Sequence, residues 1–264
     1  MLSPSLDILA IAAHRDDVEQ TCSGTLLKAA QRGQRTGILD LTQGEMGTRG
    51  TVEDRAREAE AAARILQVSW RRALDIPDGR VENTWENRLK VASIIRETRP
   101  RVVILPYWKA RHPDHYTASV LGYEACFLAG LAKLAVGRQS SVVGKTTADA
   151  ADGERLPPHR PFKIVYATLH ILHTGFYYDD RPSFVVDISE QFETKLAAIF
   201  AYKSQFGDQE AGKRVFPAQE VIRTRVEAMA RFYGSLGGVT YAEPFLQKEV
   251  GLVEDLVAIP VKSI

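Results

Sequence analysis

LDILAIAAHRDDVEQTCSGTLLKAA, residues 6–30, runs an apolar stretch into an acidic turn and then into a segment of helical character. Residues 6–13 lack polar alternation, which is the pattern of a strand buried on both faces. Beyond the turn, apolar residues recur at helical spacing, so 18–33 reads as a helix. The same alternation continues down the chain. TGILDLT (36–42), RVVILPY (101–107), FKIVYATLHIL (162–172) and SFVVDIS (183–189) read as strands, and 53–68, 84–99, 115–136, 189–205 and 218–235 as helices. Thr84 with Glu86 and Asn87 marks the start of the third helix, and Pro100 its stop. Strands alternating with helices imply crossovers of nearly fixed hand. The expected fold is α/β, a Rossmann-like three-layer sandwich around a mostly parallel sheet.

Length and composition narrow the function classes. The 264 residues are 45% hydrophobic and 25% charged, as in a soluble protein with a sizeable core, and they read as one domain spanning 1–264. Residues 138–161 are polar and rich in small residues and proline, so they read as a long loop within that domain. A net charge of +1 argues against nucleic acid or an anionic membrane as the main partner. Cys22 and Cys126 stand far apart without a CxxC pair, which suits a reducing compartment, and both are expected to pack as small apolar residues. The segment MLSPSLDILAIAAH lacks the basic region of a signal peptide, and no apolar stretch approaches the ~20 residues that span a bilayer. A cytoplasmic protein is expected.

The turn itself is unusual for this fold. A dinucleotide site needs GxGxxG there, so that backbone can approach a pyrophosphate. This chain has HRDDVE, whose three carboxylates repel phosphate and attract a cation. Asp16 and Asp17 could simply cap the following helix. The segment ARHPDH (110–115) shifts that balance, because it places two histidines and an aspartate at the same end of another buried strand. One histidine and one aspartate from HRDD, with one histidine from HPDH, satisfy a catalytic zinc site with three protein ligands and an open position for water. A spare carboxylate then serves as general base, and a spare histidine stabilises or protonates the reacting group.

The pair HRDD and HPDH resembles the AHPDD and HPDH signatures of the PIG-L/LmbE family of zinc-dependent de-N-acetylases. The likeness extends through LDLTQGEMGTRGT (39–51), REAEAAARIL (57–66), LDIPDG (74–79) and FVVDIS (184–189). It is nearest to the branch that deacetylates N-acetylglucosaminyl-L-malate in bacillithiol biosynthesis. The resemblance implies that His14, Asp17 and His115 bind zinc, or iron(II) in its place. It makes Asp16 the base, His112 the oxyanion stabiliser and acid, and Asp114 the group that orients a histidine. It also implies a homo-oligomer. The expected substrate is a small N-acetylglucosamine glycoside with an acidic aglycone, with an inositol glycoside, a chito-oligosaccharide or a catalytically impaired binding protein as alternatives.

One residue departs from the pattern. Arg15 stands where the family has proline, which places a cation close to the metal ligands unless it faces solvent or a substrate carboxylate. Arg55 and Arg111 are the candidates for the malate carboxylates, since guanidinium forks match carboxylates, although both could instead pair with surface acids such as Glu53 or Asp54. Glu45, in the glycine-rich QGEMGTRG loop, is a candidate for sugar hydroxyls or a solvated loop acid. His170 and His173 lie an odd number of residues apart, so at most one faces the site if the strand continues. His159 is expected to be exposed.

Overall fold

The structure, a computed structural model, describes residues 5–137, 155–168, 181–207, 217–255 and 257–258. Seven strands form one sheet in the order β3-β2-β1-β4-β5-β7-β6. β1 (Ile8–Ala12), β2 (Thr36–Asp40), β3 (Trp70–Ala73), β4 (Val102–Pro106) and β5 (Lys163–Ala167) are parallel. β7 (Ala242–Leu246) inserts antiparallel between β5 and β6 (Phe184–Asp187). The expected α/β sheet is therefore present and mostly parallel, with an antiparallel margin at one end.

The unbroken apolar run of β1 has a simple cause. Leu9 and Ile11 enter a core shared with α4 (Trp85–Thr98) and α5 (Pro113–Ala129), while Ala10 and Ala12 enter one on the opposite face. That second face is covered by α1 (Asp17–Thr21) and α2 (Ser23–Gln31). A neighbouring cluster joins α2 to α3 (Val52–Ile65), α6 (Phe192–Ile199) and α8 (Gln219–Gly237), and α7 (Lys203–Phe206) packs beside it. With both faces covered, no position in the strand is left for a polar residue.

Several boundaries differ from the sequence reading. The helix expected at 18–33 is two helices, because Cys22 takes φ −134° and ψ 16° and breaks the path. The helix expected at 115–136 begins at Pro113, whose missing N–H costs nothing in the first turn, and ends at Ala129. The one expected at 189–205 divides into α6 and α7. The third helix follows its signals: Thr84 accepts a 3.2 Å hydrogen bond from the Asn87 N–H, and Arg99 closes the helix in the left-handed region at φ 48°. The 138–161 loop lies outside the described residues except for 155–161, as do His170, His173 and the last residues of the expected 162–172 strand.

Strand β7 carries a buried acid. Glu243 meets the Lys195 ammonium at 2.7 Å, with both side chains 3% exposed. It also accepts the Gly24 and Thr25 N–H groups at 2.9 and 2.7 Å, capping the N-terminus of α2. On the other side of the sheet centre, β1 is flanked by β2 and β4. The chain order reverses there, which opens a crevice beyond the carboxyl ends of β1 and β4.

Candidate active site

Three side chains converge at that crevice. The turn after β1 delivers His14, the first residues of α1 deliver Asp17, and the first turn of α5 delivers His115. His14 Nδ1 and His115 Nε2 are 3.1 Å apart, His14 Nδ1 lies 3.4 Å from Asp17 Oδ2, and His115 Nε2 lies 3.2 Å from Asp17 Oδ1. A tetrahedral zinc ion bonded at roughly 2.0–2.1 Å holds its ligand atoms about 3.3–3.4 Å apart. Asp17 turns a different oxygen to each imidazole, Oδ2 to His14 and Oδ1 to His115, so the three side chains are spaced on the scale of such a tetrahedron's edge. The turn is closed by the His14 N–H donating to Asp17 Oδ2 at 2.9 Å, so ligand and backbone fix one another.

The rear of the His14 ring explains which nitrogen is offered. Nε2 lies 3.1 Å from Asp78 Oδ1 and 3.4 Å from Asp114 Oδ2. Two carboxylates there retain the ring proton, leaving the Nδ1 lone pair for a cation. Asp114 is itself held by the Gly79 N–H at 2.8 Å and the Val81 N–H at 3.2 Å. Burial disfavours charge on His14, but Asp17, Asp114 and Asp78 outweigh it and hold its pKa well above the ordinary value. Burial likewise pushes Asp17 up, and His115 and His14 outweigh it, leaving that carboxyl well below its usual range. The pocket favours positive charge. Asp78 was not singled out in the sequence. It sits in the LDIPDG segment, and PDG was its only signal.

His112 takes a different part. It is the N-cap of α5, and its Nδ1 accepts the Asp114 N–H at 3.2 Å. A ring nitrogen that accepts cannot carry the proton, so the neutral ring presents Nε2–H. Its centroid lies 4.8 Å from that of His14 and 5.0 Å from that of His115. Burial first, and then the charges of His14 and His115, lower its pKa. His112 is built as a neutral donor.

Asp16 is the N-cap of α1, and its Oδ1 meets Arg55 Nη2 at 3.3 Å. Arg55 is only 4% exposed and lies 5.8 Å over the Tyr202 ring, so it faces the expected base rather than open solvent. Gly44, at φ 74°, lets the loop pass close to it: a Cβ there would lie 3.4 Å from the guanidinium carbon. Asp54, a possible partner for Arg55, is committed to the Thr51 capping box instead. Arg15 neither reaches solvent nor lies free beside the ligands; it is buried, and its Nη1 donates to the Val52 carbonyl at 2.9 Å. Glu45 is exposed, and its Oε1 accepts the Asp78 N–H at 2.7 Å, which ties its loop to the Asp78 segment.

Asp17 and His115 form part of the wall of a cleft of about 750 Å³, counting its open mouth. Its floor is Ala10, Ala12, Val18, Cys22 and Ile104, and its rim carries Lys109 and exposed Arg111. Arg111 is thus at the cleft, while Arg55 and Glu45 are not among its lining residues. Cys22 and Cys126 are buried, and burial pushes both thiols up to about 12. His159 is partly buried, with Nε2 2.7 Å from the Pro100 carbonyl oxygen, rather than exposed.

Known proteins resemble this chain in sequence and in fold. A family model described as GlcNAc-PI de-N-acetylase, PIG-L, matches residues 9–126. The diacetylchitobiose deacetylase of Thermococcus kodakarensis is 32% identical over 246 residues, which cover 89% of this chain and 80% of that protein. A conserved protein of Thermus thermophilus shares the fold with a TM-score of 0.75 at 38% identity, over 94% of this chain and 98% of the other. The N,N'-diacetylchitobiose deacetylase of Pyrococcus horikoshii, solved with an inhibitor, has a TM-score of 0.73 at 26% identity, over 90% and 82% respectively.

Proposed function

The chain belongs to the PIG-L family of de-N-acetylases, and from that premise we propose a divalent-metal hydrolase that removes acetate from the N-acetylglucosamine unit of a small glycoside. The observation that carries the reading is the meeting of His14 Nδ1, Asp17 and His115 Nε2 at 3.1–3.4 Å, with a carboxylate and a neutral imidazole beside them. Those residues fit a zinc or iron(II) ion. Such an ion, when bound, makes a water acidic near neutral pH and polarises the acetamide carbonyl.

The chain's own groups then divide the remaining work. Asp16 accepts the proton of the attacking water. His112 donates its Nε2–H to the oxygen that gains charge as the acetamide carbon becomes tetrahedral. Its lowered pKa suits a donor that stays neutral, and Asp16, once protonated, is the better acid for the departing amine. Asp78 and Asp114 keep His14 oriented.

For the substrate, two relatives named for diacetylchitobiose support a chito-oligosaccharide. A second reading, the malate glycoside of bacillithiol biosynthesis, is favoured by Arg111 and Lys109 at the cleft rim. The test is released amine, measured with N,N'-diacetylchitobiose, N-acetylglucosaminyl-malate, its inositol counterpart and free N-acetylglucosamine. Activity should vanish on chelation and return with zinc or iron(II). Amine release that survives full metal removal, or none from any of the four with metal restored, overturns the proposal.

A further inference from the structure

Behind the turn, away from the cleft, a second set of groups meets at one backbone atom. The Arg15 carbonyl, which begins the peptide leading into Asp16, accepts hydrogen bonds from Arg71 Nη2 and from the Tyr202 hydroxyl. Arg71 reaches it from strand β3. Its other donors are all occupied: Nε and Nη2 fork onto Asp40 at 2.9 and 3.0 Å, and Nη1 meets Glu19 Oε1 at 2.6 Å and the Ala59 carbonyl at 3.3 Å. Five N–H groups find five acceptors, which is the full capacity of a guanidinium. Tyr202, fully buried between α6 and α7, also lies under the guanidinium of Arg55, the residue paired with the Asp16 carboxylate. Tyr202 therefore touches both handles of Asp16, the peptide before it and the cation beside it.

We infer that Arg71 and Tyr202 are positioning residues for Asp16, setting the direction of its carboxylate from behind without touching substrate. The inference rests on the proposed role of Asp16 as base. Neither residue lines the cleft. A peptide plane fixed by two donors from different elements holds the following Cα–Cβ bond in one direction, and misplacement of a reacting group by about 1 Å is enough to cost on the order of 10²-fold in rate.

Tyr202→Phe removes the hydroxyl and keeps the ring, and Arg71→Lys keeps the charge and loses the fork. For Tyr202→Phe, kcat should fall about tenfold while KM and metal content per chain stay within about twofold of the parent. The decisive arm repeats the substitution in Asp16→Asn, where there is no base left to aim. There the residual kcat should change by less than about twofold. An unchanged kcat in Tyr202→Phe, or the same tenfold loss in both backgrounds, overturns the inference, because a merely structural defect would act whether or not the base is present. If Asp16→Asn itself retains the parent rate, the base reading falls and this inference falls with it. Should Arg71→Lys not fold, Tyr202→Phe carries the test alone.

Discussion

Two clusters of charge lie on opposite sides of the HRDD turn, and they are built on different plans. Behind it, Asp40 and Glu19 surround Arg71, a permanent cation supplied by the chain. In front, Asp17, Asp78 and Asp114 surround His14 and His115, whose charge depends on protons. The rear cluster carries its own cation. The front cluster raises the pKa of His14 and contains no guanidinium or ammonium of its own, which suits the proposed metal ion. On the proposed reading, carboxylates that bring their own guanidinium hold the fold, and carboxylates gathered around histidines hold a metal ion.

The contrast breaks first at the proposed metal ligands. His115→Ala should drop bound metal from one per chain to near none and abolish turnover, since two remaining ligands bind weakly. Mass spectrometry of the intact protein and amine release together give the answer; full occupancy in the variant would make the front cluster structural like the rear one.

A smaller effect, of opposite kind, is expected where the chain supplies its own ion. Lys195→Ala leaves Glu243 buried without its cation and should cost about 3–5 kcal/mol of unfolding free energy. Metal content and kcat of the folded fraction should stay near the parent values. Denaturant titration checks the first statement, and a loss of metal parallel to the loss of stability would blur the two plans into one.

Glu19 sharpens the comparison through pH. Burial pushes its carboxyl up to about 7, and its Oε2 has no hydrogen-bond partner among the described residues. The folded state therefore holds this proton more tightly than the unfolded state does. The stability it contributes is complete below the ordinary carboxylate pKa and is lost as pH rises toward 7. Glu19→Gln should flatten that part of the stability–pH curve, by on the order of 3 kcal/mol between its ends. A slope identical to the parent's would remove Glu19 as its source.

The arginines give the finest distinction. Arg55→Ala should depress acidic and neutral substrates by the same factor, because Arg55 serves Asp16. Arg111→Ala should cost an acidic glycoside about 10–150-fold in kcat/KM, the equivalent of about 1.5–3 kcal/mol, and spare free N-acetylglucosamine. Equal losses in Arg111→Ala would leave the malate reading without a residue to carry it.

Much of this was legible in advance, for reasons that differ from element to element. The parallel strands declared themselves because burial on both faces forces unbroken apolar runs. HRDD and HPDH were visible as chemistry misplaced at strand ends. Strand β3 was missed because WRRA reads as polar: Arg71 points into a buried acid pair that no local pattern can announce. Strand β7 was missed because AEPFL carries a proline and an acid whose partner, Lys195, is 48 residues away. Arg55 was expected to hold a substrate carboxylate; the structure pairs it with Asp16 instead, since pairing between α3 and the first turn is decided by tertiary contact. Asp78 was hidden for the same reason.

The place of β7 in the sheet has a consequence for biosynthesis. Among the described residues β6 pairs with no strand except β7, and β7 is the last of the seven to be made. On the ribosome, β1 to β4 can therefore assemble while β6 waits with both its edges bare. When β7 arrives, it brings Glu243 to the start of α2 and to Lys195 in the same movement. The final strand to emerge thus fastens one of the first helices, and a chain stopped before residue 242 would leave that helix uncapped and β6 an open edge for other nascent chains to join.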